Sequence, residues 1–285
     1  MVAYIVSSIS VVLIQQANSP SALYFASGQT LAGGIAYVLA SAAQNNRLNS
    51  DTYKRLNLGL MEYGLVGLTI GVLGAPFRKD PFLVLPALLA TIHSLKGYFY
   101  GVLGWDKNNN NNQKTTTRLV QDFWQGTKST TQSVAESLRS KPKNVKSFLY
   151  LGATLLVGAL TLSKAGEIVA VARGSPQGGV GGWFFLATRL SRFGRLAFLA
   201  TVLYTLKDAA DRDRLEGTTF IELNFLSSLA MAAMSVYYFS LNNNMNMNVG
   251  TAVLGTLAAS LSTFCAWSGL SSNRKKKQRQ ALPKK

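Results

Sequence analysis

The chain has almost nothing with which to do conventional catalysis. Its 285 residues include one cysteine, Cys265, and one histidine, His93. A lone cysteine forms no internal disulfide, and without a Cys/His cluster there is no zinc site. No metal or other cofactor is therefore expected. Ser-His-Asp or Cys-His chemistry would have to run through His93 alone. The motifs G-x-x-x-x-G-K-[ST], G-x-G-x-x-G after a strand, H-E-x-x-H and G-x-S-x-G do not occur, nor does an N-x-[ST] glycan acceptor. A non-enzymatic role is predicted.

Acidic residues are also scarce. Only 12 Asp+Glu stand against 29 Lys+Arg, a net charge of +17. Taken alone, that excess reads as a nucleic-acid or anionic-surface binder. Yet charged residues make up 14% of the chain and hydrophobic ones 48%, with a mean hydropathy of +0.15. Soluble domains carry about 25% charged residues. Too few charges remain to clothe a water-facing surface, which argues against a soluble nucleic-acid binder. The fold class predicted is an all-α integral membrane protein.

Crossing the hydrocarbon core takes about 20 mostly apolar residues. Ala22–Ala43, Leu58–Phe77, Pro81–Gly104, Thr219–Leu241 and Val249–Leu270 qualify, and their Gly and Ala content suits close helix packing in lipid. Two further segments carry more charge. Ser147–Ala172 holds Lys164 and Glu167 near its end, and Trp183–Leu206 holds Arg189, Arg192 and Arg195. Val2–Ile14 is apolar but short, without the basic n-region or cleavage site of a signal peptide.

Four regions follow from this. Residues 1–104 form an N-terminal membrane half, 105–146 an Asn-rich linker, 147–272 a C-terminal membrane half, and 273–285 a basic tail. The linker holds five consecutive Asn at 108–112, a low-complexity run that hints at a eukaryotic genome. After it, Leu119, Val120, Phe123 and Trp124 recur at helical spacing beside polar residues. That pattern predicts an amphipathic helix, lying either at the membrane interface or on its own protein.

The chain also matches itself. Residues 47–58 align without gaps on 214–225, with Arg47/Arg214, Leu48/Leu215, Thr52/Thr219, Leu56/Leu223 and Asn57/Asn224 identical. At the same offset of 167, Tyr37/Tyr204, Leu39/Leu206, Ala42/Ala209 and Ala43/Ala210 agree as well. A duplicated three-helix unit is predicted, and it gives Trp183–Leu206 a spanning partner in Ala22–Ala43. The three arginines then share one face. Each costs about 2.5–3.5 kcal/mol at mid-membrane, so they must face the bundle or a wet cavity.

Basic residues decide the topology. With seven spans, 21 of the 29 basic residues fall on one side and 3 on the other. If Ser147–Ala172 alone fails to span, the bias vanishes; if both charged segments fail, it returns with five spans. A spanning Val2–Ile14 would make eight. Seven spans in a 3+1+3 layout put the repeats in the same orientation, an arrangement similar to that of SWEET-type transporters. The likeness is one of layout, because the prolines of those transporters' repeated helices are missing here. The C-terminus would face the cytosol, or the stroma of a plastid, in an endomembrane or plastid compartment.

Ionisable groups inside spans are functional candidates. Glu62, His93 and Lys96 fall at similar depth in consecutive spans, which predicts a Glu62–Lys96 ion pair with His93 beside it. The matching positions in the second half are Leu229, Leu261 and Phe264, so this polar cluster belongs to one repeat. It reads either as a solute or proton site, or as a buried pair that fixes helix register. Asn57 and Asn224 open corresponding helices and are expected to cap them or to bond between helices. Arg274, Lys275, Lys276, Lys277 and Arg279 follow directly on the last span and read as a contact for anionic lipid headgroups. Protein partners or a homo-oligomer are also compatible with that face. Two functions remain: a channel or carrier for a small solute, and a non-catalytic membrane organiser or assembly subunit.

Overall fold

The computed structural model describes residues 20–48, 50–73, 81–98, 116–174, 180–244 and 249–281. Among them are eight α-helices and no strand: α1 (Pro20–Gln44), α2 (Asp51–Leu73), α3 (Pro81–Lys96), α4 (Thr116–Arg139), α5 (Val145–Gly174), α6 (Val180–Asp211), α7 (Thr218–Asn244) and α8 (Val249–Ala281). Val2–Ile14 and the Asn run lie outside the described residues. Pro81 begins α3 at a position where its missing N–H costs nothing. Asn144 caps α5, its Oδ1 accepting from the Ser147 N–H at 2.7 Å.

Three of the described helices are long and apolar enough to cross a membrane, over Val145–Ala170, Thr218–Ser240 and Ala252–Gln278. The first covers the segment in which the sequence places Lys164 and Glu167. The other four expected spans coincide with α1, α2, α3 and α6 but are not among these three. Of these, α6 carries three arginines and the described α3 has 16 residues. On α5 the exposed apolar residues Phe148, Leu155, Leu162 and Val169 repeat every seven positions. Such a row suits acyl chains far better than water.

The described chain forms two compact units, and α1, α5 and α6 contribute to both. One contains the described residues up to 35, 143–153 and those from 206 onward. Its centre is the α7–α8 hairpin, where Ser262 Oγ donates to the Ser228 carbonyl at 2.8 Å and Ser235 Oγ to the Gly255 carbonyl at 3.1 Å. Interhelical hydroxyl bonds of this kind are the usual polar glue between helices in lipid. The other unit contains 36–142 and 154–205. There α2 approaches α3 closely: a Cβ on Gly64 would come within 2.9 Å of the Thr91 backbone. On a different face of α2, Tyr63 stacks on Phe198 of α6 with ring centroids 5.3 Å apart.

Two corners of the chain have the same geometry, one turning α1 into α2 and the other α6 into α7. Asn46 and Asp213 each sit in the left-handed region at φ 52°. The Arg47 N–H reaches back to the Ala42 carbonyl at 2.9 Å and the Asn46 N–H to Ala43 at 3.1 Å. In the second corner Arg214 bonds Ala209 at 2.8 Å and Asp213 bonds Ala210 at 3.2 Å. This paired closure is the Schellman motif, which satisfies the last helical carbonyls. The next helix then starts alike in both places, the Lys54 N–H on the Ser50 carbonyl and the Ile221 N–H on Gly217. Each residue of the second corner stands 167 positions after its counterpart.

These corners correct the expected role of two asparagines. Ser50 and Gly217 occupy the N-cap positions, and Asn57 and Asn224 are each the seventh residue of their helix. Both asparagines are buried, at 2% and 0% exposure. The capping alternative fails because the turn after each Schellman closure takes only three residues, so helix begins six residues before the asparagine.

Candidate functional site: a cleft walled by Glu62

Within the second unit, α2, α4, α5 and α6 enclose a cleft of about 790 Å³. Its α2 wall presents Arg55, Leu58, Gly59, Met61 and Glu62, and its α6 wall Ala197, Ala200, Thr201 and Tyr204. Val134 and Leu138 of α4 and Leu155, Ala159 and Leu162 of α5 complete a predominantly aliphatic lining. The space falls in the range of sites that hold small organic molecules, about 300–1,000 Å³. The amphipathic pattern of α4 explains its place here. Phe123 packs edge-on against Tyr98 at 5.3 Å and Val134 and Leu138 line the cleft, whereas Trp124 stands 68% exposed.

Glu62 is partly buried in the α2 wall, whereas Lys96 is exposed, and the two form no ion pair. The side chain of His93 lies outside the described residues. The reason for the missing pair is rotational. The α2 residues that meet α3 are Asn57 against Gly97, Gly64 against Thr91 and Gly67 against Ala87. That register does bring the backbone of His93 level with Glu62. But at 100° per residue Glu62 points well away from the face defined by Asn57 and Gly64. It shares its face with Arg55, Leu58 and Gly59 instead, and so looks into the cleft. No salt bridge to Glu62 is present among the described residues. Arg55, two turns earlier, is 3% exposed and lies over the Tyr204 ring, 4.9 Å from its centroid.

The three arginines of α6 are met in different ways. Arg189 pairs with Glu167, which also takes Lys164, making a three-residue charge group. Arg195 is buried and hydrogen-bonds both Ser191 and Tyr63. Arg192 is partly buried. Glu167 was not singled out on sequence, because its partner is 22 residues away across an interhelical connection.

No family model, curated protein or solved structure matches this chain.

Two of the polar groupings described in the first unit are buried. Asn224 accepts from the Tyr150 hydroxyl and donates through Nδ2 to the Phe220 carbonyl at 2.9 Å, while Tyr150 packs on Phe264 at 4.8 Å. This is the interhelical bonding expected of Asn224. At the end of α6, Lys207 is fully buried and pairs with Asp211 at 2.8 Å. Asp211 also accepts from Ser147 Oγ at 2.5 Å and from the Lys143 N–H at 3.1 Å. Burial alone would raise the Asp211 carboxyl, but the bonds from Lys207, Ser147 and Lys143, with the Lys207 charge, hold it below the usual value of 3.8. An i, i+4 Lys–Asp spacing was the available sequence signal for this pair.

A second depression of about 600 Å³ is lined by Lys146, Asp213, Glu216 and Trp267 among others. Lys146 lies 5.1 Å from the centroid of the Trp267 ring and donates to Ser271, so its charge is already engaged there. Arg47 and Arg214 are exposed at their corners. The basic tail continues α8 without a break as far as Ala281. Arg274 and Lys277 are exposed, and Lys276 donates to Thr218 Oγ1 at 2.7 Å. The side chains of Lys275 and Arg279 lie outside the described residues.

Proposed function

We propose that this protein is a multi-pass membrane carrier for a small solute, with the Glu62 cleft as its binding site. The observation that carries this reading is the cleft itself: a space of about 790 Å³, mostly aliphatic, with one carboxylate in its wall. Pockets of that size and character, with few convergent polar groups, are the default binding sites of a fold. An ionisable group kept within apolar helices is costly unless it has a use.

The reading includes seven spans in a 3+1+3 layout, with the basic face and C-terminus toward the cytosol or stroma. The matched corners support a duplicated three-helix unit, since two unrelated turns would not share closure, cap and offset. Spans α2 and α6 need their charges covered, and the Glu167–Arg189 pair and the buried Arg195 support that. A second reading, a membrane organiser, is supported by α8. Its apolar length runs straight into basic turns, which holds Arg274 and Lys277 at a fixed height for anionic headgroups.

Flux measured in proteoliposomes separates the two. A panel of protons, alkali cations, organic acids and amines is offered to wild type and to Glu62→Gln. Flux of at least one member that falls in the variant supports the carrier. If no member of the panel crosses above empty liposomes, the carrier reading fails.

A further inference from the structure

We propose that the ligand of this cleft is an amphiphile bearing a protonated amine, which sets its ammonium group on the Glu62 carboxylate and its apolar body against α4 and α5. The inference rests on the cleft being a solute site, and adds the class of solute.

Three observations carry it. First, the lining is mostly apolar, and of its hydroxyls Thr161 and Thr201 already donate to the Val157 and Ala197 carbonyls of their own helices, so the walls other than α2 offer little to replace the water around a sugar or an inorganic ion. Most of the ligand must be apolar. Second, the two charges of the α2 wall are not equivalent. Arg55 is already held over Tyr204, whereas Glu62 has no salt bridge among the described residues. A carboxylate withdrawn from water is stabilised by a cation brought to it. The complementary headgroup is therefore positive, not negative. Third, Leu155 and Leu162 line the cleft and yet are 56% and 73% exposed. They belong to the exposed apolar row of α5, a helix long enough to cross the membrane. The cleft is thus continuous with a surface that suits acyl chains, and an amphiphile would enter it from the lipid side.

The test uses the full chain in nanodiscs at neutral pH, with empty nanodiscs correcting for partition. Three probes share one alkyl chain: dodecylamine, dodecanol and dodecanoate. Two variants are compared with wild type. Glu62→Gln keeps the shape and removes the charge. Gly158→Phe plugs the space: Gly158 lines the cleft, and a Cβ added there meets nothing within 4 Å, so the new side chain leaves the helix without a clash at its first atom.

Saturable dodecylamine binding is expected, weakened about tenfold by Glu62→Gln, as suits a charge-assisted hydrogen bond. Dodecanol should bind more weakly and be indifferent to Glu62→Gln. Gly158→Phe should weaken both. Tighter binding of dodecanoate than of dodecylamine overturns the proposal, as does dodecylamine binding that Glu62→Gln leaves unchanged, or no saturable binding of the amine. If the amine arm fails while Gly158→Phe still blocks flux of another solute, only the amine class is lost. If Gly158→Phe changes neither binding nor flux, the cleft is not the site and the carrier reading falls with it.

Discussion

Replacing Asp211 by Asn tests how the end of α6 is held, because the loss can be sized from its partners. The substitution keeps the shape of the side chain. It removes the negative charge facing Lys207, whose side chain is 0% exposed, and it sets an amide against the donors of Ser147 and Lys143. Breaking a buried ion pair from one side costs about 3–5 kcal/mol, mostly as an uncompensated charge. Asp211 keeps 11% exposure, so some water remains available, and the lower end is appropriate, about 3 kcal/mol. For a chain of this size each kcal/mol moves the melting temperature by about 2–4 °C. The expected fall is therefore about 6–12 °C, read by scanning fluorimetry in nanodiscs. The double variant Lys207→Met with Asp211→Leu should recover only the part due to the uncompensated charge, since the Ser147 hydroxyl and the Lys143 N–H still lose their acceptor. The pH dependence has a definite sign. A carboxyl held below 3.8 in the folded state contributes fully above that value and loses its contribution as pH falls through its folded value. Acid lability below about pH 4 should thus be blunted in Asp211→Asn. A variant that melts within about 2 °C of wild type at neutral pH would refute the reasoning.

Two smaller predictions concern the corners and the α5–α7 contact. Asn46→Gly and Asp213→Gly should each stabilise by up to about 1 kcal/mol, because glycine occupies positive φ without a Cβ penalty, and valine at either place should destabilise by about 1–2 kcal/mol. Opposite signs at the two sites in melting measurements would mean that the turns are not equivalent. Tyr150→Phe should cost about 1–2 kcal/mol by leaving the Asn224 carbonyl oxygen without its donor in a dry core. An unchanged melting temperature would show that another donor takes over.

Properties that depend on one-dimensional spacing could be read from the residues. The helical recurrence of Leu119, Val120, Phe123 and Trp124 foretold α4, and the apolar length from 147 onward foretold α5 as a helix able to cross a membrane. The matched stretches 47–58 and 214–225 fall on corners of the same geometry. Rotation about the helix axis could not be read in the same way. Glu62 and Lys96 were assigned comparable depth from their distance to the intervening turn, but depth says nothing of which way a side chain points. The rotation of α2 is set by Gly64 and Gly67 giving α3 its closest approach, and Glu62 lies off that face. The asparagines illustrate a related limit. Aligned Asn57 and Asn224 marked equivalent positions correctly, yet whether a residue caps a helix depends on backbone angles three to seven residues upstream. Glu167 and Arg189 show a third limit, since no period connects residues on successive helices.

The two matched halves also explain why a single site is expected. Position 62 corresponds to Leu229 in the second half. Leu229 is 55% exposed on α7, a helix able to cross the membrane, so its side chain suits acyl chains. A charged group there would cost about 2.5–3.5 kcal/mol at mid-membrane with nothing to offset it. In the first half the same position faces a cleft covered by α4, α5 and α6, where a carboxylate is sheltered and can be met by a ligand. The other two polar positions of the first half correspond to Leu261 and Phe264, and Phe264 is committed to packing on Tyr150. The aligned positions in α7 and α8 are thus an exposed leucine and a phenylalanine packed on Tyr150, while Glu62 lines an opening. The proposed carrier would bind one ligand per chain, and a stoichiometry of two dodecylamine molecules per chain would be inconsistent with it.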